Sequence, residues 1–151
     1  MMIPDEVREA VYGLPFPGSW DEMVTLLTVD EDGHPHVCLL SRSELDADHE
    51  RIHAVVAAPG TISHLLRTGA ATLVFVLWDQ AIFVKADVAD VIEDDGWLGV
   101  SFVVRSVKRD SIGIPLEPPR YLVTHELAAM ENWERSARLL ERLSSTERTP
   151  S

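Results

Sequence analysis

VTLLTVDEDGHPHVCLLS, residues Val24 to Ser41, reads as two β-strands and the turn that joins them. The first strand, Met23 to Asp30, is apolar and β-branched, the composition a pleated surface favours. Asp30-Glu31-Asp32-Gly33 supplies the turn, with Gly33 free to take the positive φ of a tight hairpin. The second strand runs from Pro35 to Ser41. Apolar side chains at both parities predict strands covered on both faces for much of their length, as in a small barrel packed against something else.

Outward from this hairpin, the N-terminal side offers a short helix from Pro4 to Tyr12. Asp5 and Glu6 lie in its first turn, Gly13 lies past its end, and Ile3, Val7, Ala10 and Val11 form one stripe. Leu14 to Trp20, with two prolines and a glycine, is a loop. On the C-terminal side, Ser43 to Glu50 is polar and acidic and reads as a second turn. Arg51 to Ala58 is a third strand. Thr61 then caps a helix of about two turns that stops at Gly69.

Ala70 to Trp78 reads by composition as the most buried strand, Ala81 to Val91 is the fifth, and Trp97 to Asp110 the sixth. A proline-rich loop, Ile114 to Pro119, leads to an amphipathic helix from about Thr124 to Leu143, with Leu127, Met130, Trp133, Ala137, Leu140 and Leu143 on one side. Ser144 to Ser151 is expected to fray. The predicted fold is mainly β and a single domain spanning 1–151. It comprises an N-terminal helix (1–13), a six-stranded antiparallel split β-barrel (20–112) with short peripheral helices, and the C-terminal amphipathic helix (124–143).

Composition bounds the function. With 46% apolar and 25% charged residues over 151 positions, the chain is an ordinary globular protein able to bury a core. A formal charge of −12 argues against nucleic acid or an anionic membrane as partner. The single cysteine, Cys38, allows no intrachain disulfide, which makes a reducing cytoplasm the default location. Met1 to Glu6 lacks the basic-then-apolar pattern of a signal peptide, and Ala70 to Trp78 is too short to span a bilayer.

Several residues carry possible chemistry. The start of the Thr61 helix offers unpaired N–H groups and a partial positive charge beside the small, donor-rich Gly60, Thr61 and Ser63. Arg67, one turn beyond Ser63, adds a full charge. Plain capping of a connecting helix explains the same residues. His34 and His36 share a strand face, yet no third ligand follows at metal-site spacing, so His36 reads better as a hydrogen-bond donor to phosphate than as a ligand.

Cys38, in an apolar run, reads as a small buried hydrophobe. Lys85, one of two lysines, stands mid-strand; an exposed edge accounts for it, and a cleft-facing role against an anion is the sharper alternative. Trp78 suits core packing or stacking on a planar ring. Arg105, Lys108 and Arg109 read as the basic cluster of an acidic chain.

Three pieces together resemble the pyridoxamine 5'-phosphate oxidase-like, FMN-binding split barrels. They are VTLLTVDEDGHPHVCLL, the helix TISHLLRTG, and AATLVFVLW followed by QAIFVKADVADVIED, over residues 20 to 95. The resemblance implies a homodimer with two flavin sites in clefts between subunits. It also implies phosphate contacts at positions that here are His36 and Ser41, where the oxidases carry arginine and lysine. Gly60-Thr61-Ile62 stands where they carry a Ser-Arg-Lys stretch, and VKADVADV lacks the family's frequent glycine.

Two functions compete. One is an FMN-dependent reductase or oxidase using His36, Ser41, Thr61, Ser63, His64, Arg67, Trp78 and Lys85 around the cofactor. The other is a non-enzymatic binding module with an eroded flavin site. That module would take another small molecule or haem, with His34, His36 and His64 as iron ligands.

Overall fold

The structure, a computed structural model, describes residues 2–11, 22–77, 79–111, 113–117, 119–120 and 133–148. Helix α1 (Asp5–Val11) precedes β1 (Met23–Val29), β2 (Pro35–Ser41), β3 (Leu45–Ala47) and β4 (Arg51–Val56). Helix α2 (Pro59–Thr68) follows, then β5 (Ala70–Leu77), β6 (Gln80–Asp94), β7 (Trp97–Asp110) and helix α3 (Trp133–Arg148). All pairings are antiparallel, and the strands run in the order β2-β1-β5-β6-β7-β4-β3 in one sheet curled into a half-barrel.

The two hairpin turns follow the local chemistry. Asp30 Oδ1 accepts from the N–H groups of Asp32 (3.0 Å) and His34 (2.8 Å), and Gly33 has φ 85°. The His34 N–H, helped by that of Asp32, holds the Asp30 carboxyl below its usual range, against the opposing effect of desolvation. At the β6–β7 turn Asp95 and Gly96 both have positive φ, 50° and 84°, as a two-residue hairpin requires.

The sheet has seven strands rather than six. Part of the expected polar turn, Ser43 to Glu50, folds as a 3₁₀ turn (Arg42–Glu44) and the short strand β3. Ser41 caps that turn: its hydroxyl oxygen accepts from the Ser43 N–H (3.2 Å), and the Glu44 carboxylate accepts from the Ser41 N–H (2.8 Å). Buried Leu45 and Ala47 then pair with β4. Arg42 fastens the corner. Its Nε donates to the Ala10 carbonyl (2.5 Å) and its terminal N–H to the Leu45 carbonyl (2.9 Å), and burial brings its pKa down to about 10.

Burial departs from expectation in two places. Strands β1 and β2 are covered on one face only: Val24, Leu26 and Thr28 point inward, while Val29, Val37 and Leu39 are 45%, 54% and 49% exposed. Strand β5 alternates likewise, so it is not the most buried strand. That place belongs to β4 and the first half of β7, which are covered on both faces because α3 lies on the outer one. There Val55 packs with Leu139 and Leu140, flanked by Ile92 and Trp97. Gly99 lets α3 close down: a Cβ there would stand 3.3 Å from Leu143 Cδ1.

Helix α3 also runs past Leu143 to Arg148, where a frayed tail was expected, since nothing breaks a helix before Pro150. The expected loop Leu14 to Trp20, the helical segment before Trp133, and the side chains of Trp78 and Trp133 lie outside the described residues. No described helix is long and apolar enough to cross a membrane.

Candidate functional site

Helix α2 begins one turn earlier than its sequence suggests. Ala58 is the N-cap without a side-chain bond, Pro59 opens the helix with φ preset and no N–H to satisfy, and Gly69 closes it at φ 67°. Thr61 is therefore not the cap but a residue of the first turn, and it points inward with no exposure. Its hydroxyl has no nitrogen or oxygen partner. The Cys38 thiol lies against it, a weak partner that leaves hydrogen-bonding capacity unused. Burial pushes the Cys38 thiol pKa up, the Thr61 hydroxyl works against that, and the Glu44 carboxylate adds to it. Cys38 is thus a protonated, half-buried thiol, not a nucleophile.

Register brings two histidines to the same place. His36 pairs with Thr28 across β1–β2, so both side chains lie on the inner face, one row from Cys38 and Leu26. The His36 ring sits over the start of α2: a Cβ on Gly60 would lie 3.9 Å from both Cε1 and Nε2. From α2, His64 reaches back, its ring 4.7 Å from that of His36 and nearly perpendicular (84°). The Nδ1 of His64 is 2.9 Å from the Thr28 hydroxyl, a buried contact in which either atom can donate according to tautomer. Thr28, which orients His64, carried no signal in the sequence beyond its alternation on β1.

The other expected site residues are dispersed. Ser63 is exposed on α2. Arg67 stands on the last turn of α2 and donates to the Val29 carbonyl. At about 1.5 Å of rise per residue it lies roughly 10 Å along the axis from Gly60. Ser41 is committed to its cap. Lys85 aligns with Thr72, and Thr72 with Leu27, which puts it on the outer face, opposite Thr28. There it borders a cleft of about 560 Å³ whose lining includes Leu27, Val29, Ala70, Thr72 and Arg105. Arg105 is paired with Asp87, and Lys85 makes no ion pair among the described residues. Trp78 lies outside the described residues.

His34 is on the exposed turn, and no group of three or more metal-ligating side chains converges among the described residues. The cluster therefore consists of Thr28, His36, Cys38, Gly60, Thr61 and His64. It presents imidazole and hydroxyl groups to the N–H groups that open a ten-residue helix.

Solved structures share this architecture. An FMN-binding protein from Syntrophomonas wolfei superposes with a TM-score of 0.56 over 72% of this chain and 86% of its own, at 14% identity. The fold is the split barrel of these proteins. An F420 reductase matches at 0.55 over 70% and 98%, with 12% identity. A protein related to general stress protein 26, of the pyridoxinephosphate oxidase family, from Clostridium acetobutylicum matches at 0.51 over 63% and 83%, also at 12%. The split barrel is thus kept at identities where sequence alone says little, and no protein-family model or curated protein matches the sequence.

Proposed function

We propose that this split barrel binds a flavin, FMN, and works as a homodimer in flavin-dependent redox chemistry. The observation that carries the reading is the buried hydroxyl of Thr61, which has no nitrogen or oxygen partner, in the first turn of α2 next to Gly60, over which the His36 ring sits. A phosphate at this helix start meets free N–H groups, the Thr61 hydroxyl and the His36 imidazole. Hydrogen bonds to a charged group contribute about 1.5–3 kcal/mol each, so three of them hold a phosphate without the oxidases' arginine and lysine.

His64, oriented through Nδ1 by the Thr28 hydroxyl, props the His36 ring. Once bound, the flavin supplies the electron-transfer chemistry, and the chain's part is to orient it and exclude water. The exposed apolar side chains Val29, Val37 and Leu39 form the surface that a second copy of the chain would cover.

The test is an absorption scan of the purified protein, a titration with FMN, and light scattering. Saturable quenching of FMN fluorescence by a species of twice the chain mass is the expected result. A monomer that leaves FMN fluorescence unchanged contradicts the reading. One observation favours the alternative of a non-enzymatic binding module: Arg67 and Lys85, the two expected cations, are both turned away from the start of α2. A colourless protein that ignores FMN would promote that alternative, and a haem spectrum would direct it to His36 and His64.

A further inference from the structure

We propose that the hollow between α3 and the β6–β7 turn is a binding site for a phosphate group, separate from the α2 cluster. Arg135, Arg138 and Arg142 fall at i, i+3 and i+7, so α3 presents them along one side. Together with Leu139 and Asp94 they line a cavity of about 390 Å³. In a chain of net charge −12 this is a local concentration of positive charge: the guanidinium groups of Arg135 and Arg142 face the carboxylates of Asp94 and Asp95, and Arg138 lines the same hollow.

The ion pairs that Asp94 and Asp95 make in this hollow are long. Arg135 stands 3.6 Å from Asp94 Oδ1 and 3.5 Å from Asp95 Oδ2, and Arg142 stands 3.4 Å from Asp94 Oδ2. Charge-assisted bonds close to about 2.7–2.9 Å when geometry allows. The exposed Arg51–Asp90 pair does so, at 2.7 Å. Arg138 makes no ion pair among the described residues.

Meanwhile Arg135 is fixed by other means. It donates to the Asp94 carbonyl at 2.9 Å and lies over the Trp97 ring, 5.2 Å from its centroid. Arg135 is thus a donor fork held in advance, and Arg138 and Arg142 line the same hollow from the same helix. A tetrahedral phosphate offers several acceptor oxygens and can be gripped by two or three forks at once, which suits arginine better than any other side chain. The ligand class is inorganic phosphate or a phosphate monoester.

The experiment is a titration of the full chain with inorganic phosphate, read on the Trp97 indole N–H by NMR, because Trp97 lies under Arg135. A saturable shift is expected. Arg138→Gln, an exposed change, weakens the apparent affinity about tenfold or more while leaving FMN binding unchanged. Asp94→Asn removes the internal competitor and strengthens binding several-fold. A staple that only anchors α3 would instead give no phosphate-dependent shift. No saturable shift up to about 20 mM phosphate, well above an affinity of ~4 kcal/mol, overturns the proposal. So does a shift that both substitutions leave unaltered.

Discussion

Two buried histidines make the same first contact and have opposite fates. His53 Nδ1 is 2.9 Å from the Ser101 hydroxyl, and His64 Nδ1 is 2.9 Å from the Thr28 hydroxyl. His53 lies between β3 and β7, wholly enclosed, and its other nitrogen meets the Asp48 carboxylate at 3.4 Å. His64 rides on a helix at the open end of the sheet, is 8% exposed, and its neighbour is another imidazole. A Ser–His–Asp trio with Ser101 only 1% exposed has no room for a substrate, so it is a structural lock. The less perfect arrangement, next to an orphaned hydroxyl, is the one left for a ligand.

The largest expected difference between the two is in stability. His53→Ala opens a cavity in the most enclosed strand and strands two polar partners, which costs about 3 kcal/mol or more. His64→Ala loses one hydrogen bond at a partly open edge and costs about 1–2 kcal/mol. Urea unfolding of both variants measures the gap. Equal losses would show that the α2 cluster is as structural as the other.

Acidification sharpens the same contrast. Burial lowers the His53 pKa below its ordinary 6.5, an effect that Asp48 opposes without cancelling. Below pH 6.5 the unfolded chain therefore binds the proton more readily than the folded one. The stability from the neutral ring is present above about pH 6.5 and is lost as pH falls toward the lower folded value. Melting temperatures at pH 7.5, 6.5 and 5.5 should fall in that order. The His53→Ala variant should show a shallower fall, and the same slope in both would remove His53 as the cause.

Smaller effects separate cap from site. Ser41→Ala removes the side-chain half of a capping box and should cost about 1 kcal/mol, with the FMN titration unchanged. Arg67→Ala, whose guanidinium serves the Val29 carbonyl, should shift FMN affinity by less than about twofold, under ~0.4 kcal/mol. A tenfold loss there would bring Arg67 back to the phosphate.

How much was legible follows from which interactions are local. Hairpin chemistry is local, so β1, β2 and the Gly33 turn stood in the sequence as they stand in the structure. In the described part of α3, Leu140 and Leu143 of the expected stripe are likewise buried. The extra strand β3 was hidden because Ser43 to Glu50 read as a polar turn until the capping box of Ser41 and Glu44 is seen. The faces of β1, β2 and β5 were misjudged because composition does not reveal that α3 lies on β4 and β7.

For the site, strand parity could have shown that Lys85 and His36 occupy opposite faces, but only once the register through β5 was known. His36, Thr61 and His64 were recognised as polar residues near one helix. Thr28 was not, because a threonine in a strand is common. The helix starting at Pro59 turned Thr61 inward and moved Arg67 away from the helix start, a shift of one turn that capping preference alone did not reveal.

The account rests on a phosphate held at the start of α2, and phosphate is the part of FMN that riboflavin lacks. Fluorescence titrations of wild type and His36→Ala with both compounds isolate that part. Wild type should bind FMN at least about tenfold more tightly than riboflavin, a difference of ~1.4 kcal/mol or more. His36→Ala should lose most of that preference while keeping its affinity for riboflavin. Equal binding of FMN and riboflavin by the wild-type protein would contradict the claim.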